Sequence, residues 1–223
     1  TQYRELKNSQ AEIEALQQAY LDQFERASFE QIMNDDGLYN FAMAGGRAYF
    51  KENCATCHGT GAEGSKGYPN LNDDEWLWGG TLEDIQYTLQ HGIRAGNEMT
   101  RQSQMPSFGK DKLLSAEQIG IVRDYVLALS ENPAKASKTK GAEIFQQNCA
   151  SCHGADAKGD REFGAPNLTD DIWLYGGSGE EVYESIYDAH AGVMPAWKDR
   201  LDEETIRQLT IYVHQLGGGE ESK

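Results

Sequence analysis

The pentad Cys54-Ala55-Thr56-Cys57-His58 returns 95 positions later as Cys149-Ala150-Ser151-Cys152-His153, and the two copies hold all 4 cysteines of the 223-residue chain. Two sulfurs three positions apart can bond both vinyl groups of one porphyrin as thioethers, and the adjoining imidazole then lies beneath the iron. A chain of this kind folds around its prosthetic groups. The pattern predicts two covalently attached haem c groups, one on Cys54 and Cys57 and one on Cys149 and Cys152, with His58 and His153 as proximal ligands.

Paired cysteines have other uses, and the surroundings exclude them. A thioredoxin-like site needs one Cys-x-x-Cys within a strand-rich unit, and neither copy lies in β-branched sequence. A zinc ribbon sets its pairs about 15–20 residues apart, far closer than Cys57 and Cys149. Neither use accounts for two histidines.

Hydrophobic residues make up 39% of the chain, little for one large core but enough for two small ones, each supplemented by a buried porphyrin. With every cysteine committed, none is left to report on the compartment through disulfides. A net charge of −16 excludes nucleic acid as a partner. It suits a basic patch on another protein and serves solubility equally well. The apolar run Ile119 to Leu129 is broken by Arg123 and Asp124, so no membrane span is expected. No signal peptide is read either, and the expectation is a mature or trimmed form without its anchor.

The duplication extends well beyond the pentads. Gly46, Phe50 and Asn53 answer Gly141, Phe145 and Asn148, and the segment Pro69 to Gly80 returns as Pro166 to Gly177 with nine of twelve positions identical. Met105-Pro106-Ser107-Phe108 answers Met194-Pro195-Ala196-Trp197, and Val122, Tyr125 and Leu129 answer Leu209, Tyr212 and Leu216. The spacing predicts helices joined by glycine-rich loops, with Phe41, Gly45, Ala48 and Tyr49 on one helical face. Gly46 and Gly141 each leave a notch for close helix approach. Capping pairs Thr81 with Asp84, Ser115 with Gln118 and Ser178 with Glu181 mark helix starts.

These signals divide the chain into a helical segment over 1–40, a first domain over 41–130, a linker over 131–140, a second domain over 141–217 and a disordered tail over 218–223. Ile13, Leu16, Tyr20 and Phe24 make the leading segment one amphipathic helix docked on protein.

What closes the sixth iron position separates electron transfer from ligand chemistry. Met105 and Met194 are the candidates, each on a loop after the repeated Trp-Gly-Gly and each followed by proline. A lone methionine is ordinarily core filler; matched placement in both copies favours ligation. Met99, His91 and His190 compete, the histidines without aligning between repeats. Main-chain carbonyls at Pro69 and Pro166 are expected to accept the Nδ1–H of His58 and His153. Trp76, Trp78, Trp173 and Trp197 are read as pocket wall, and the pairs Asp73-Asp74 and Asp170-Asp171 as loop caps. No catalytic constellation is evident.

The repeated Pro-Asn-Leu-x-Asp-Asp-x-Trp-Leu-[Trp/Tyr]-Gly-Gly segment, both Cys-x-x-Cys-His-Gly motifs, His91-Gly92-Ile93-Arg94 and Val193-Met194-Pro195-Ala196-Trp197 resemble the dihaem c-type subunit of cbb3-type cytochrome c oxidases over about residues 41–217. The resemblance implies an all-α fold of two tandem class I cytochrome c domains and His-Met ligation of both irons, His58 with Met105 and His153 with Met194. It further implies transfer of electrons from a donor cytochrome to a haem-copper subunit that reduces oxygen and pumps protons. It places the domains on the periplasmic side, behind an amino-terminal membrane anchor not present in this sequence. A soluble dihaem carrier and a dihaem peroxidase are the alternatives, the latter disfavoured by two matched Met-Pro loops.

Overall fold

The computed structural model describes residues 15, 18–131 and 136–221. These residues form helices and loops, with isolated bridges in place of any sheet. After a helical stretch over residues 18–26 come α1 (Phe29–Asn34), α2 (Asp36–Asn53), α3 (Ala55–His58), α4 (Leu82–His91) and α5 (Ala116–Glu131). The second repeat supplies α6 (Lys140–Asn148), α7 (Ala150–His153), α8 (Gly179–Tyr187) and α9 (Glu203–His214).

Local chemistry sets the helix starts. Thr81 Oγ1 accepts from Asp84 N at 3.1 Å, and the expected boxes at Ser115/Gln118 and Ser178/Glu181 are closed in both directions. Ser28 with Gln31 adds a capping box to α1, and Asp35 accepts from Gly37 N and Leu38 N ahead of α2. On α2 the buried stripe is Leu38, Ala42, Gly46 and Phe50, one position beyond the expected Phe41, Gly45, Ala48 and Tyr49. The close approach of a partner helix at Gly46 sets that register, and Ala48 is left exposed.

Each repeat sends its last helix to the other. α2 packs on α9, the last helix among the described residues, and α5 packs on α6. A Cβ on Gly46 would lie 2.4 Å from Gln208 O and 2.5 Å from Tyr212 Cβ; on Gly141 it would lie 2.4 Å from Tyr125 Cβ. The Phe50 ring meets Tyr212 at 5.5 Å, and Phe145 meets Tyr125 at 5.3 Å. One core joins Phe50, Cys54, Ile85 and Leu89 to Ile206, Leu209 and Val213, and the other joins Ile119, Val122, Tyr125 and Leu129 to Ile144, Phe145, Val182 and Ile186. The spans 41–130 and 141–217 are therefore repeats in sequence, whereas each packed unit draws on both. The two class I cytochrome c units interlace.

The region expected as an interdomain linker accordingly joins two helices of one unit, with Ala136 buried against them and Thr139 capping α6. A short connection places consecutive helices side by side. Residues 132–135, with Pro133, lie outside the described part.

The tail expected as disordered over 218–223 makes specific contacts at Gly218 and Glu220, within its described residues. Trp76 Nε1 donates to Gly218 O at 2.6 Å, Glu220 N donates to Gly80 O at 2.8 Å, and the Glu220 carboxylate pairs with Arg161. At the other end Phe24 and Ala27 join Ile32, Leu38, Ala42, Leu82 and Ile211 in a third core, so the leading segment docks on protein over its described residues. Arg207 donates to Glu25 O and Ala27 O, closing the end of that stretch, and its guanidinium lies over the rings of Phe24 and Phe29. Ile13 and Leu16 fall outside the described residues.

One contact between the repeats is unfavourable. Asp73 and Asp170 cap their loops as expected, accepting from Glu75 N and Ile172 N. Asp170 Oδ2, however, is buried without a partner. Burial first, and then the Asp170 charge, raise the Glu75 carboxyl above its usual range; burial likewise leads the upward shift of Asp73. A carboxylate whose folded pKa exceeds its unfolded one opposes folding once ionised, so stability falls as pH rises through the interval between the two values. Asp170→Asn keeps the cap and gives the buried position a donor. It is expected to raise stability by about 1 kcal/mol near neutral pH, or roughly 2–4 °C in Tm, with the gain shrinking in acid. A lower Tm in thermal melts at both pH values would refute this account.

Candidate haem sites

Each pentad begins where a long helix ends. Cys54 terminates α2 and Cys149 terminates α6, and the next four residues form one helical turn that carries the second cysteine and the histidine. Gly59 and Gly154 follow with φ of 82° and 78°, a conformation in which a side chain would strike Glu63 or Asp156. The chain then doubles back, with Gly64 N donating to His58 O at 2.7 Å and Gly159 N to His153 O at 2.8 Å.

Both imidazoles are held as expected. His58 Nδ1 lies 3.0 Å from Pro69 O, and His153 Nδ1 lies 3.2 Å from Pro166 O. A carbonyl only accepts, so Nδ1 carries the proton and the Nε2 lone pair is left for a metal. Burial lowers the pKa of both rings, favouring the neutral ligating form, while the carbonyl bonds act in the opposite direction. Burial also pushes the Cys54 and Cys149 thiols up to about 11. A dithiol redox motif needs an exposed, acidic leading thiol; these are the reverse.

The methionines cross over with the helices. Met194 packs against the first core, the one that holds Cys54 and is also bordered by Ala55, Leu71, Trp76 and Trp197, and Met105 packs against the second, bordered also by Cys149, Ala150, Leu168 and Trp173. Equivalent backbone bonds dock the two loops: Trp197 N donates to Leu89 O at 2.9 Å on α4, and Phe108 N donates to Ile186 O at 3.1 Å on α8. Met194 also exchanges two backbone bonds with Ile93, at 2.9 and 3.0 Å. The expected grouping of Met105 with His58 and Met194 with His153 is thus not the packing found. Met99 is 54% exposed, His91 lies against Tyr87, and the exposed His190 stacks on Tyr175 at 3.9 Å. Trp76, Trp173 and Trp197 border the two cores, and Trp78 is covered by Gly164 and Arg101.

The donors fit the group that the pentads imply. Each unit presents two sulfurs on one helical turn, a histidine with its outer nitrogen already bonded, and a soft thioether among apolar side chains. Sequence reasoning overlooked the anchoring carbonyls of Leu89 and Ile186, although Leu89 and Ile186 occupy equivalent positions in the repeats. It also gave Arg94 no role.

An all-α chain with this donor set in duplicate is a c-type cytochrome, and it binds haem c. Residues 41–126 and 136–213 match the family described as cytochrome c oxidase, cbb3-type, subunit III. The cbb3-type cytochrome c oxidase subunit FixP of Bradyrhizobium sp. (strain ORS 278) is 52% identical over 195 residues, covering 86% of this chain and 67% of that protein. Subunit CcoP of Azospirillum sp. (strain B510) is 48% identical over 228 residues, 98% of this chain and 77% of its own. The CcoP subunit of Cereibacter sphaeroides is 48% identical across 95% of this chain and 74% of its own. The chain belongs to the subunit III family of cbb3-type oxidases and is an electron-transfer cytochrome subunit, with the other oxidase subunits as partners. Among the described residues no helix is long and apolar enough to cross a membrane.

Proposed function

We propose that the chain carries two haem c groups and that each iron is bound by both repeats: His58 with Met194, and His153 with Met105. Cys54 and Cys57 tether the first group, and Cys149 and Cys152 the second. The grouping of Met194 with Cys54 and of Met105 with Cys149 in separate apolar clusters carries this reading.

Bound haem supplies a one-electron iron couple, and the thioether ligand holds its potential above that of a bis-histidine site. The chain itself fixes geometry and keeps water away. Pro69 O and Pro166 O orient the imidazoles and make them better donors. Leu89 O and Ile186 O hold the methionine loops in place. Six-coordinate irons leave no open position, which suits passage of electrons from a donor cytochrome toward the haem-copper subunit without chemistry at this chain. The working location is the periplasmic face of the inner membrane, with an amino-terminal anchor; both follow from the family resemblance.

Removing one attachment pair tests the ligand sets. In Cys54→Ala/Cys57→Ala, intact mass is expected to show one porphyrin against two in the parent. The remaining haem is expected to lose its near-infrared thioether-to-ferric band in Met105→Leu and to keep it in Met194→Leu. The opposite result would restore ligation within each repeat, and a parent carrying one porphyrin would end the two-haem reading.

A further inference from the structure

Arg94 sits where the two methionine-bearing segments cross. Its backbone adopts φ 52°, left-handed for a residue with a side chain. The turn is pinned by Arg94 N donating to Arg101 O at 2.9 Å and Arg101 N donating to Gly92 O at 3.1 Å. From that turn the guanidinium reaches two different segments: Nε donates to Gly192 O at 2.6 Å, and an Nη donates to Ser103 O at 2.7 Å. Gly192 lies two residues before Met194, and Ser103 lies two residues before Met105.

A rigid planar fork that serves two carbonyls at once fixes them relative to each other, which a lysine ammonium on a flexible stem does not do. Both partners are main-chain atoms, so the charge is spent on loop position and not on an ion pair. The repeat offers no counterpart, since Ala191, the residue two after Ala189 and one after His190, has no donor side chain. One arginine serves both crossings.

We propose that Arg94 is a positioning residue that holds both sixth ligands together, so that loss of its guanidinium loosens the two iron–thioether bonds in one step. The inference rests on the reading of Met105 and Met194 as ligands. It goes further in tying the two sites to a single side chain that touches neither iron.

The experiment uses the haem-loaded chain, with porphyrin content and helical circular dichroism measured alongside the near-infrared band and carbon monoxide binding to the reduced protein. Met105→Leu and Met194→Leu are each expected to remove about half of the band. Arg94→Ala is expected to remove more than half and to open both haems to carbon monoxide, with porphyrin content unchanged. Should that variant fail to mature, Arg94→Gln, which keeps one donor group and reaches one carbonyl, is expected to lose about half, and Arg94→Lys to fall between Gln and the parent. A full band in Arg94→Gln and Arg94→Lys overturns the inference, as does an Arg94→Ala effect confined to one haem. If the two methionine variants leave the band whole, the ligand reading itself fails, a result separable from failure of Arg94 alone.

Discussion

Residues 1–140 expressed alone, with their haem, are expected to lack a cooperative thermal transition and a methionine-ligated iron. The fragment holds the whole first repeat, yet α2 loses the helix that covers it. Ile206, Leu209 and Val213 are almost fully buried in the first core and all come from α9. Burial of three such side chains is worth roughly 5–9 kcal/mol, comparable with the whole 5–15 kcal/mol that holds a domain. Met194 and Trp197 leave with them. The complementary fragment 141–223 lacks α5 and is expected to fail for the same reason, while an equimolar mixture regains structure because each piece carries what the other needs. Melts followed by circular dichroism and by haem absorbance measure all three samples. A fragment 1–140 that melts as cooperatively as the whole chain, with α5 folded back onto α2, would show that the exchange is not obligatory.

The second large effect is a contrast between two glycines. Gly46→Val places its Cβ 2.4 Å from the Gln208 carbonyl, a backbone atom that a rotamer change cannot move aside. Forcing α2 and α9 apart is expected to cost about 3 kcal/mol, at the upper end for overpacked cores, and to lower Tm by roughly 6–12 °C. Gly120, in the middle of α5, has no atom within 4 Å of an added Cβ. Gly120→Ala is therefore expected to stabilise by about 0.5–1 kcal/mol through helix propensity. Opposite signs at two helical glycines would separate a packing requirement from chain composition. Equal shifts in denaturant midpoints would remove the argument for close approach at Gly46.

The local framework of the candidate haem sites was legible. The turn at each pentad and the capping pairs are read within a few residues and lie where those residues place them, and the proline carbonyls meet the histidines as the repeat suggests, whereas each Met-Pro loop packs in the unit opposite to the one expected. The pairing of the halves was not legible, and the reason is the repeat itself. Val122, Tyr125 and Leu129 present nearly the same face as Leu209, Tyr212 and Leu216, and Gly46-Phe50 offers the same notch as Gly141-Phe145. Either helix satisfies either notch, so periodicity cannot distinguish a closed repeat from an exchanged one, the ambiguity that underlies domain swapping. The one discriminating signal was the short stretch between α5 and α6, which favours adjacent antiparallel helices over separate domains. The order of residues 218–221 depended on distant partners, Gly80 and Arg161, that no local pattern names.

A polypeptide is made from its amino end, and the interlaced helices turn that direction into a schedule. The first pentad emerges long before α9, the helix that shelters it. Until α9 has been made, Cys54 and Cys57 stay open to whatever machinery joins porphyrin to sulfur, whereas the second unit already has α5 waiting when its own cysteines appear. The two sites thus mature under different time constraints although their residues are nearly the same.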